Sequence, residues 1–306
     1  MGFKLAPRIG LRSDGVSLLL MCALVVAAVP AHGQVAIRSL TDVIEGHRVG
    51  GVTIDLIGNI YVADFGDVVW KVTPEGERHE FASGFYGASG NAIDSEGNLL
   101  QSNFYGNSIT KINRKGEPKL FITSGLSGPV GIAIDRQTGD VYVANCGGNS
   151  IAKITADLTV STFAKSELFK CPNGLAFDKG GNLYVANFRN NRVLKIDPKG
   201  GVGAFATVSE KGLGHLCFKT DRFYVTAYES HQIYELRLDG TAKRILGNGE
   251  RGVVDGQGSK VRLSFPNGIA CDPWAPRLYI NEYVNASETE LPRRGVIREI
   301  RLDAGK

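Results

Sequence analysis

A unit of about forty residues recurs six times along this 306-residue chain, a period that belongs to stacked or radial repeat architectures. The clearest copy is Cys171–Gly212, which opens CPNGLAFDKGGNLYVANFRNNRVLKIDPKG. Its phrase is an apolar run ending in Asp, a turn, then Gly-Asn and a second apolar run. Ile54-Asp55 precedes GNIYVAD, Ile93-Asp94 precedes GNLLQSN, and Ile134-Asp135 precedes GDVYVAN. Phe177-Asp178 precedes GNLYVAN, Phe218-Lys219 precedes RFYVTA, and Cys271-Asp272 precedes RLYINE.

Each copy reads as four short strands. In Cys171–Gly212 these are GLAFD, NLYVA, RVLKI and GAFAT, alternating apolar with polar or small residues at the period of a half-buried strand. The separators KGG, FRNN and DPKG supply the positive φ angles and side-chain caps of tight turns. No sustained helical period occurs after residue 33. Four strands per unit and six units predict an all-β fold, a six-bladed β-propeller. The last copy runs out near Leu302 after its third strand, VIREIRL. The strand-like segment Val35–Ile44 is expected to supply the missing outer strand and remove an exposed edge.

With 43% hydrophobic and 22% charged residues, positions 34–306 suffice for one large domain. Residues 1–33 stand apart. Lys4, Arg8 and Arg12 precede the apolar run Val16–Val29, and Pro30-Ala31-His32-Gly33 follow. This is the pattern of an export signal cleaved after Ala31 or Gly33, with an uncleaved anchor as the rival reading. The run is short for a membrane span. Loss of three bases and Asp14 brings the net charge from +4 to +2, too little for nucleic-acid binding. The expectation is a monomer in the periplasm or outside the cell, with no membrane contact beyond the signal. Cys22 leaves with the signal. Cys146 and Cys171, in neighbouring blades on one face, are expected to form a disulfide, and Cys217 and Cys271 to be buried free thiols.

The segment leading into the last copy, GNGERGVVDGQGSKVRLSFPNGIACD, resembles the signature of NHL-repeat propellers, as do the turns VADFGD, VANCGGNSI and VANFRNNRV. The resemblance covers residues 50–304. Pro172–Asp178, PNGLAFD, is similar to an element of gluconolactonase/regucalcin-like propellers. Streptogramin lyases, strictosidine synthase-like proteins and paraoxonases are related six-bladed families. The resemblance implies a metal or reactive centre at one mouth of the central channel.

Two rings of positions open on that mouth. The position just inside each first strand holds Gly50, Ser89, Val130, Asn173, Gly214 and Asn267. Gluconolactonase-like proteins place Glu, Asn and Asp in blades 1, 4 and 5 of this ring, and only Asn173 matches. The turn after each second strand holds Asp64, Asn103, Asn145, Asn187, Ala227 and Glu282, followed by Phe65, Phe104, Cys146, Phe188, Tyr228 and Tyr283. A polar ring backed by an aromatic ring makes a cup for a small, partly apolar ligand. The same Asn and Asp residues equally suit turn capping, and the aromatics suit blade sealing.

Asp64 and Glu282, with Asn173 and Asn267, are the candidate ligands of one divalent cation, calcium ahead of zinc. His215 is the candidate general base, with Asp64 and Glu282 beside it in the catalytic set. His47 and His231 lie near the same mouth, and His231 shares the turn slot of Asn107, Asn149 and Asn191. Arg293, on the long segment Val284–Gly295, is a candidate for a substrate carboxylate. Two functions fit: an exported ester or lactone hydrolase or lyase acting on a small molecule, and a non-catalytic propeller binding a protein, glycan or other ligand across its face.

Overall fold

A computed structural model describes residues 35–45, 49–208, 212–284 and 294–302. The leader 1–33, His47 and Arg293 lie outside the described residues. Each repeat is one antiparallel sheet. Blade 4 runs outward through Pro172–Phe177, Leu183–Asn187, Arg192–Ile196 and Val202–Thr207. The first strands of successive blades touch one another around the whole ring, blade 6 returning to blade 1.

Burial follows the pattern. The second strand Leu183–Asn187 is buried at every position, whereas Val202–Thr207 buries only its inward residues. The core is six clusters, each straddling two neighbouring blades, so each blade is stabilised by its neighbours and not by an interior of its own.

The repeated Asp has a local task. Asp178 Oδ1 accepts the N–H groups of Gly180 and Asn182, and Oδ2 accepts the Asn182 amide. Asp55 with Ile57 and Asn59, and Asp94 with Glu96 and Asn98, do the same. The Asp side chain thus builds the turn that the following Asn locks.

The first strands pack backbone against backbone. Gly51, Gly90, Gly131, Gly174 and Gly268 occupy one ring, and blade 5 alone places a side chain there, His215. A Cβ on Gly131 would lie 2.1 Å from Asn173 O, and one on Gly174 would lie 2.5 Å from His215 Cα. Both neighbours are backbone and cannot yield. Gly174→Ala should therefore lower stability by about 1–3 kcal/mol, measurable as a shift in a denaturant midpoint; an unchanged midpoint would refute this close packing.

The ring closes as expected. Ala36–Glu45 pairs with Arg294–Arg301 as the outer strand of blade 6, and the short strand Gly256–Gln257 adds beyond it. Arg298, fully buried, organises this closure. Its guanidinium donates to Glu282 at 3.0 Å, to Asp255 at 2.8 Å, and to the carbonyls of Val254 and Arg262, each at 2.9 Å. Asp255 also accepts the Ser39 N–H at 2.9 Å, and Arg38 pairs with Glu299 at 3.1 Å. The closing strand is held to blade 6 by charge as well as by its backbone ladder.

Two disulfides join neighbouring blades. Cys146 of blade 3 bonds Cys171 of blade 4. Cys217 and Cys271 are not free thiols: they form a second bridge between the first strands of blades 5 and 6, with Cα atoms 5.7 Å apart. Close approach of the first strands brings both residues within bonding reach. Two such bridges fit an oxidising compartment. Among the described residues, no helix is long and apolar enough to cross a membrane.

Candidate functional site

The turn-position polar ring consists largely of structural ties. Asn145 Oδ1 accepts the N–H of Ser127, and Asn187 accepts that of Lys170 while donating to Leu168 O. Each thereby pins the segment leading into its own blade. Asn103 donates to Ser108 Oγ and Thr110 Oγ1. Asp64 Oδ1 accepts the N–H groups of Gly66 and Val68 within its own turn.

Glu282 departs from the expected channel-facing acid. One carboxylate oxygen takes Arg298 and the other takes the N–H of Ser264, in the same manner as Asn145 and Asn187. Burial pushes its carboxyl up to about 7, against the opposing pull of Arg298. The side chain turns to Arg298 because that buried guanidinium requires an anion beside it.

Both carboxylates of the set expected to hold a cation, Asp64 and Glu282, already have protein partners. The carboxylate positions implied for blades 1 and 5 are sterically closed as well. A Cβ on Gly50 would lie 2.7 Å from Ala88 O, and one on Gly214 would lie 2.6 Å from Asn267 O. Among the described residues, no three acidic, His or Cys side chains form a metal-binding group. What remains is neutral amide and imidazole, which does not fit a hard divalent cation.

A different constellation emerges on the first strands of blades 4, 5 and 6. Asn173 Nδ2 donates to Leu213 O at 3.2 Å, leaving Oδ1 buried without a partner. Asn267 Nδ2 donates to Val49 O at 2.6 Å, and its Oδ1 is likewise unpartnered. Between them His215 is buried with an unpartnered Nε2, and desolvation lowers its pKa to about 4, so the imidazole is neutral at physiological pH. The amide orientations follow from the backbone carbonyls that hold each Nδ2. Two unpartnered buried amide oxygens, with an unpartnered imidazole nitrogen between them, make a polar site on consecutive strands.

Above it, the aromatic residues form two arcs. Phe65 and Phe104 lie 5.6 Å apart, with Tyr105 beside both. Phe188, Tyr228, Phe265 and Tyr283 form the other arc, with successive centroids at 5.8, 5.0 and 6.4 Å. The Cys146–Cys171 bridge stands in the ring position between Phe104 and Phe188.

Phe265 was not singled out from the sequence. It occupies the slot before the first strand where Gly87, Gly128 and Gly212 adopt positive φ, and its own φ is 48°. That is uncommon for a bulky side chain. Its N–H donates to His231 Nδ1 at 3.1 Å, and the Arg251 guanidinium lies 4.8 Å over its ring. His231 thus plays the turn role of Asn107 and Asn149, which accept from Gly128 and Cys171. A Phe in a slot that three other blades fill with Gly was the available sequence signal.

Residues 126–154 and 169–196 match the NHL repeat. No curated relative matches the sequence. Solved structures with the same fold include a gluconolactonase from Xanthomonas campestris (15% identity, 89% of this chain and 93% of that one, TM-score 0.67). An auxiliary nutrient binding protein from Bacteroides thetaiotaomicron is 14% identical over 88% of this chain and 76% of its own, with TM-score 0.71. Virginiamycin B lyase from Staphylococcus aureus is 16% identical over 81% and 82%, with TM-score 0.58. At these identities the likeness establishes the fold and leaves function to the site.

Proposed function

We propose that this chain is an exported small-molecule-binding propeller. Its ligand enters past the aromatic rim and is held by Asn173 Oδ1, His215 Nε2 and Asn267 Oδ1. The observation that carries this reading is the run of three buried, unpartnered polar atoms on consecutive first strands. Such atoms are costly to bury unless something bonds to them. The ligand is neutral or cationic, with hydroxyl or amine donors at one end and an apolar body against the aromatics. Phe65, Phe104, Phe188, Tyr228 and Tyr283 are the proposed rim.

A catalytic reading, hydrolase or lyase, rests on the same His215, a neutral imidazole able to take a proton. Burial makes it a weak base, so binding is the primary reading. The similar structures include both enzymes and a binding protein.

Thermal-shift screening against sugars, polyols, amines and lactones, followed by calorimetric titration, tests this. His215→Asn should weaken a hit at least about tenfold with little loss of melting temperature at neutral pH. Equal binding by this variant, or no hit in any class, would overturn the assignment.

The same residue sets a pH dependence. With a folded pKa of about 4 against the ordinary 6.5, the unfolded state binds the proton first as pH falls. His215 therefore favours the folded state fully above pH 6.5, and this contribution fades toward pH 4, by about 3 kcal/mol. The stability of wild type relative to His215→Asn, followed by urea unfolding across that window, should fall as pH falls. A constant difference would show that His215 titrates normally.

A further inference from the structure

Blade 2 departs from the repeat at two positions on the mouth side. Tyr105 follows Phe104 there, where the other five blades place Gly66, Gly147, Arg189, Glu229 and Val284. Tyr86 stands two residues before the first strand, where blades 3 to 6 place Ser127, Lys170, Lys211 and Ser264. The other blades build these turns without either ring, so the fold does not require them. Both are open to solvent, Tyr105 at 54% and Tyr86 at 67%.

The pair is fixed by its backbone. The N–H groups of Tyr105 and Gly106 donate to Tyr86 O, each at 3.2 Å, Phe104 N–H donates to Gly87 O at 2.8 Å, and Gly87 N–H donates to Gly66 O at 3.0 Å. Gly87 makes room for the Tyr105 ring, since a Cβ there would lie 2.7 Å from Tyr105 Cδ2. The two tyrosine centroids are 5.3 Å apart, and Tyr105 lies 5.1 Å from Phe104 and 5.9 Å from Phe65. A continuous series of rings therefore leads from the half-buried Phe65 and Phe104 of the proposed rim out to Tyr86, with exposure rising along it.

The surroundings of the series are nearly uncharged. In the flanking segments 64–67, 83–87, 104–107 and 123–128 the charged residues are Asp64 and Asp67. Asp64 is buried and bonds within its own turn, which leaves Asp67 as the exposed carboxylate. Ser83, Thr123 and Ser124 are exposed and uncharged. A lone carboxylate with no cation beside it disfavours an anionic ligand.

We propose that the ligand is a neutral oligosaccharide, with one sugar in the cup and the following sugars stacked on Tyr105 and Tyr86 outside it; this rests on the binding site proposed above. A pyranose combines flat C–H faces, which lie against exposed aromatic rings, with hydroxyls, which suit the amphipathic tyrosines. Each hydroxyl both donates and accepts, so it satisfies the Asn173 and Asn267 oxygens and His215 Nε2 in either protonation state of that nitrogen, whereas an ammonium only donates. A single sugar would leave the two tyrosines uncovered, and a chain of sugars covers the series.

The test is calorimetric titration of the protein with glucose, mannose, xylose and galactose and with their linear disaccharides and trisaccharides. Affinity in at least one series should rise about tenfold or more from monosaccharide to trisaccharide. Tyr86→Ala/Tyr105→Ala should remove that rise, and Tyr86→Phe/Tyr105→Phe, which keeps both rings, should retain it. A trisaccharide that binds no tighter than its monosaccharide, or a rise that survives the alanine pair, overturns the proposal; the cup then stands as long as His215→Asn weakens the monosaccharide. Binding of an amine with no binding of any saccharide also overturns it and spares the cup, whereas no hit in any class removes both. Self-association in the absence of sugar, abolished by the alanine pair, overturns it as well and assigns the tyrosines to a second copy.

Discussion

Replacing Arg298 with alanine should lower the stability of this propeller by about 3–5 kcal/mol, because it strands buried Glu282 without its cation. Asp255, which accepts the Ser39 N–H directly, also loses the cation that holds it, so the damage extends to the closing strand. The melting temperature should fall by roughly 10 °C or more for a domain of this size. Glu282→Gln, which keeps an acceptor for Ser264 and leaves Arg298 with Asp255, should melt early by a smaller margin. Calorimetry of the two variants decides between a structural and a chemical role. If Glu282→Gln melts as wild type does and a bound metal disappears with it, the structural role assigned to this carboxylate is wrong.

Reduction of the two disulfides should cost about 3–4 kcal/mol for each bridge, on the chain-entropy account for sequence separations of 25 and 54 residues. Melting curves with and without a thiol reductant measure the sum. Cys217→Ser/Cys271→Ser isolates the bridge between blades 5 and 6, and peptide mass mapping under non-reducing conditions reads the connectivity directly. A reductant-insensitive melt, or free thiols at Cys217 and Cys271, would return these residues to the simple buried role that the sequence suggested.

The fold was legible because its determinants are local and repeated. The Asp-turn-Asn phrase encodes a side-chain-built hairpin, and three copies repeat the same hydrogen bonds, at Asp55, Asp94 and Asp178. The missing fourth strand of the last repeat pointed to Val35–Ile44 by simple accounting of strands. The ring positions of the aromatics were legible too, since the repeat aligns them.

The site was less legible. Glu282 occupies a mouth position in the alignment, yet its direction is set by Arg298, a residue that reads in the sequence as an ordinary strand cation. Gly50 and Gly214 looked like absent ligands, whereas they are positions where a neighbouring blade leaves no room for any side chain. The bridge between Cys217 and Cys271 depends on how closely two first strands approach across a blade interface, which no spacing of 54 residues conveys.

Residue order along the chain therefore sets what each turn and strand will be, through side chains that bond their own backbone within a few positions. Which side chains face a partner, and which buried polar atoms remain without one, depends on contacts across blades. In those contacts the competing partner lies dozens or hundreds of residues away, as Asn267 does from Val49 and Ser39 from Asp255. Burial then makes the choice decisive, because an unpaired polar group costs far more inside the ring than in water.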